Sequence, residues 1–147
     1  MHTIIVPAQL VGVLREGLHS EIGNAAEAIA QAADQADRER RPEAYREPFG
    51  HLDRTRALLD LIDRSTPHPA IAVRVDLCEH REAVLGALDV ALIVGDADLE
   101  DAEKVDADRA ARGEAPIRET TTRRVFALRE FRAAIEVHAD DSRESRR

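Results

Sequence analysis

A chain of 147 residues is long enough to own one hydrophobic core, but its formal charge of −8 lacks the basic footprint of a nucleic-acid or anionic-membrane binder. The single cysteine, Cys78, excludes an intramolecular disulfide and any multi-cysteine zinc site. The 44% apolar fraction includes 25 alanines and only Tyr45, Phe49, Phe126 and Phe131 as aromatics, which favours closely spaced helices over a β-sandwich.

Residues 3–6 are β-branched and read as a short extended lead-in. Pro7 suits a first helical position, and Leu10, Leu14, Leu18, Ile22, Ala25, Ile29, Ala32 and Ala36 then recur at helical spacing. Gly12, Gly17 and Gly23 inside that stripe point to close approach by a neighbouring helix. A charged linker follows at 37–42, then a turn around Tyr45 between Pro42 and Pro48. Phe49, Leu52, Leu59 and Ile62 mark a second helix ending near Arg64, and the run Ser65 to Pro69 stops it. Residues 70–75 alternate, with Ile71, Val73 and Val75 on one side, as a short strand that can pair with 3–6.

The chain is organised around the next stretch, from Val75 to Gly113. Asp76 and Glu79 form an acidic variant of a capping box. Leu77, Val84, Leu85, Leu88, Leu92 and Leu99 continue as an apolar stripe, with Leu88 and Leu92 expected in the core. Gly113 and Pro116 supply the stop. About 36 residues make a rod of roughly 50 Å, unless it breaks at Gly95-Asp96. A threonine among 120–122 is expected to cap a fourth helix whose buried face is Val125, Leu128, Phe131, Ile135 and Ala139. The expected fold is therefore all-α, a largely antiparallel four-helix bundle with two long and two shorter helices. Residues 1–139 form its domain, and 140–147 form a charged, disordered tail.

One pattern in the long stretch carries possible chemistry. Glu79-x-x-Glu82 is followed by Glu103-x-x-Asp106, which is similar to the Glu-x-x-Glu and Glu-x-x-Asp signature of MazG-like nucleoside-triphosphate pyrophosphohydrolases, an all-α family. The resemblance implies that Glu79, Glu82, Glu103 and Asp106 would hold Mg²⁺ against a triphosphate, and it requires the long helix to fold back. The acidic run 96–108 also reads as a solvated helix face, and with 29 acidic residues such spacing arises readily.

Other candidates are weaker. A spacing similar to the Arg-x(4–6)-His signature of helical HEPN ribonucleases occurs at Arg46/His51, Arg74/His80 and Arg132/His138, as 20 arginines and six histidines produce by composition. Cys78 lies in a first helical turn crowded by Asp76, Glu79 and Glu82, so we expect a partly buried structural thiol. Asp96, Asp98 and Glu100 begin like a calcium loop, but Asp101 and Ala107 stand where glycine and glutamate are needed.

These readings lead us to expect a cytoplasmic, non-enzymatic helical interaction or assembly module without a cofactor, acting on protein rather than nucleic acid or membrane. Two long helices beside two short ones leave apolar surface to cover, which predicts a homodimer.

Overall fold

A computed structural model of the chain describes residues 3–39, 46–65 and 72–144, with side chains described for 3–35, 46–65 and 72–137. Among them the fold is all-α with one small ribbon: β1 (Thr3–Val6), α1 (Ala8–Glu39), α2 (Arg46–Ser65), β2 (Val73–Asp76), α3 (Leu77–Ala111) and α4 (Arg118–Glu144). The long helices are α1 and α3, of 32 and 35 residues; α2 and α4 have 20 and 27. The chain divides into two compact units, Met1–Ala87 and Leu88–Arg147, and the boundary falls inside α3.

In the first unit β1 and β2 pair antiparallel, from Thr3 opposite Asp76 to Val6 opposite Val73. Alternation sets the faces: Val73 and Val75 are buried and Arg74 is exposed. The expected strand at 70–75 is thus observed at 73–76, and Ala70 and Ile71 lie outside the described residues. Helix α1 starts at Ala8, and the Pro7 carbonyl accepts the Leu10 N–H at 2.9 Å. It runs antiparallel to α2, since Arg15 reaches Asp63 while Glu21, further along α1, reaches the earlier His51. Leu10, Leu14 and Leu18 are buried on α1, and Leu52, Thr55, Leu58, Leu59 and Ile62 on α2. Helix α2 begins at Arg46, earlier than its apolar stripe indicates; Pro48 sits in the first turn, where a missing N–H breaks no intrahelical bond.

The three glycines of α1 differ. A Cβ at Gly17 would strike the carbonyl of Ala87 on α3, with the carbonyl carbon only 3.0 Å away, so the two backbones meet there. Gly12 and Gly23 have nothing within 4 Å of that position, so the expected close approach is made at Gly17 alone.

In the second unit α3 and α4 form an antiparallel hairpin. Asp89 meets Arg132, Asp96 meets Arg129 and Glu103 meets Arg118, so one number rises as the other falls. The turn is closed by Gly113 at φ 71°, with Gly113 N–H donating to Ala110 O and Glu114 N–H to Arg109 O. That pair of bonds around a left-handed glycine satisfies the last carbonyls of α3. Helix α3 does not break at Gly95-Asp96. Gly95 is buried, and a Cβ there would lie 2.8 Å from Val125 Cγ2, so the glycine admits α4 rather than bending α3. Leu88 is fully buried and Leu92 partly so. Beyond Ala139 the helix continues to Glu144.

Candidate functional site

The four carboxylates of the sequence pattern sit on one continuous helix, and each has a local task. Glu82 lies 3.2 Å from Arg54 Nε of α2, and Glu79 lies 3.7 Å from His80 Nε2. Glu103 is 3.4 Å from Arg118 of α4. Asp106 accepts the backbone N–H of Ile117 at 2.7 Å and of Arg118 at 3.2 Å, which caps α4 from across the turn. The cap therefore does not come from the threonines: Thr121 and Thr122 donate their hydroxyls back to the carbonyls of Ile117 and Arg118. Glu82 and Glu103 lie on one helix that runs without a break at Gly95-Asp96. Among the described residues no group of three or more His, Cys, Asp or Glu side chains is placed to hold a metal ion.

Asp76 acts as expected, accepting the Cys78 N–H at 2.9 Å at the start of α3. Cys78 itself is free and exposed, contrary to the expected partial burial, because this position of the first turn faces away from buried Leu77 and His80. Of the Arg/His pairs, Arg132 is engaged by Asp89 and Glu136, while the side chain of His138 lies outside the described residues. Hydrogen bonds to Asp89 and then Glu136 raise the Arg132 pKa above the ordinary arginine value.

A dyad that the sequence does not announce joins α1 to α2. His51 Nε2 and Glu21 Oε2 are 2.7 Å apart, with the Glu21 side chain 15% exposed. Gly86 of α3 closes one side, where a Cβ would stand 3.3 Å from the same carboxylate oxygen. A carboxylate–imidazole pair can orient a base, but catalysis also needs a nucleophile or a bound metal. The buried Thr55 hydroxyl is committed to the His51 carbonyl at 2.8 Å. The pair is arranged as a helix-to-helix link.

The surface feature that stands out is apolar. Ile93 is 71% exposed, Val94 55%, and Phe126 and Val137 each 61%, all in the second unit. The signal in sequence is the run from Ala83 to Gly95, in which Asp89 is the only polar side chain. Such a run places apolar groups on every face of a helix, the pattern of a helix that is buried all round. Its neighbour, 96–108, carries seven carboxylates and Lys104, which leaves the outer face of α3 apolar in its middle and acidic beyond. Among the described residues no helix is long and apolar enough to cross a membrane. No protein-family model, no curated protein and no solved structure matches this chain.

Proposed function

We propose that this protein is a non-enzymatic helical interaction and assembly module that works as a homodimer. The observation that carries this reading is the exposed apolar face of the second unit, centred on Ile93 and Val94 of α3. Isolated surface leucines or valines are ordinary, whereas exposed apolar residues that adjoin on a helix mark an interaction surface. The separate engagement of Glu79, Glu82, Glu103 and Asp106 supports a structural role for those carboxylates.

Light scattering at micromolar concentration tests the assembly: we expect a mass near twice 16.3 kDa. A mass of one chain, independent of concentration, removes the homodimer. The non-enzymatic part is tested by pyrophosphate release from nucleoside triphosphates with Mg²⁺ or Mn²⁺. Turnover that disappears in the Glu82→Gln, Glu103→Gln double variant would overturn it and restore the hydrolase reading.

A further inference from the structure

We draw no further inference here: the strongest candidate, the exposed apolar face of α3 around Ile93 and Val94, carries nothing beyond the self-association already proposed, because nothing in the structure shows what covers it.

Discussion

In the first unit the large side chains of Leu14, Leu18, Leu58, Ile62 and Val84 are fully buried, and polar links such as Glu21–His51 tie helix to helix. In the second unit Val125, Leu128 and Ile135 are just as buried, yet Ile93, Val94, Val105, Phe126 and Val137 remain exposed. Among the described residues, the large exposed hydrophobic side chains are Ile5 and Phe49 in the first unit and these five in the second. The difference is geometric. Three helical segments and a ribbon can enclose one another's apolar stripes, whereas two helices in a hairpin each cover a single side of the other. A hairpin whose helix is apolar on several faces is therefore incomplete by itself. Helix length alone does not call for a second copy, because α4 is nearly as long as α1.

The largest expected effect separates the two units by how tightly they enclose a leucine. Leu58→Ala in the first and Leu128→Ala in the second should each cost about 2–5 kcal/mol, as for other buried leucines. The cost rises with the cavity that the surroundings cannot fill, so Leu58 is expected in the upper half of that range and Leu128 in the lower. Denaturant midpoints at constant m-value give the comparison. Equal losses would mean that the hairpin is as rigidly filled as the first unit.

The two buried glycines sharpen the same contrast. Gly17→Ala pushes a methyl group into the backbone carbonyl of Ala87, which cannot rotate away. We expect a loss of about 1–3 kcal/mol, the usual cost of overpacking. At Gly95 the obstruction is one methyl of Val125, which a small shift of α4 can relieve although valine has one preferred rotamer in a helix, and alanine favours the helix by about 1 kcal/mol. Gly95→Ala should leave stability within about 1 kcal/mol of wild type. Thermal or chemical melts of the two variants side by side decide it, and a reversed order would show that the α1–α3 approach is the softer of the two.

Much of this fold was legible from residue spacing. The alternation in 73–75, the Asp76 cap, the stripe through Leu88 and the glycine stop at Gly113 are all local, and each appears in the structure. Legibility ended where partners are distant in sequence. Asp106 and Ile117 are eleven residues apart, and Glu21 and His51 thirty, so no local rule pairs them. The possible break at Gly95-Asp96 does not occur, because the glycine there serves close packing against Val125. The carboxylate spacing is plain in sequence, but the side-chain partners of each carboxylate are not. Cys78 is exposed rather than partly buried because neighbouring first-turn positions of a helix face core and water in turn.

Asp106 tests whether the hairpin turn is a structural device in its own right. Asp106→Ala removes the acceptor for two otherwise unpaired N–H groups at the start of α4. A loss of about 0.5–2 kcal/mol is expected, as for other helix caps. Asp106→Asn, which keeps a side-chain oxygen, should recover most of it. Equal losses in the two variants would indicate that charge against the α4 dipole, rather than the hydrogen bonds, does the stabilising.

The smallest effects concern the surface ion pairs, and they too differ between units. Arg15–Asp63 in the first unit spans 2.8 Å, but both side chains are about half exposed, at 51% and 45%. Arg132–Asp89 in the second spans 2.7 Å with the arginine 30% exposed and Glu136 on its other side. Double-mutant cycles to alanine should give a coupling of about 0.2–1 kcal/mol for Arg15–Asp63, the range for exposed pairs. Arg132–Asp89 should lie at the upper end of that range, because its guanidinium is shared between two carboxylates. Both should fall with added salt, Arg15–Asp63 more steeply, since exposed pairs are screened more fully. The pH dependence has a definite sign. A pKa raised in the folded state stabilises the fold at every pH below the ordinary arginine value and is lost only as pH rises through the folded one. The guanidinium therefore contributes no pH dependence near neutrality. A cycle that shrank towards alkaline pH in the neutral range would contradict this assignment.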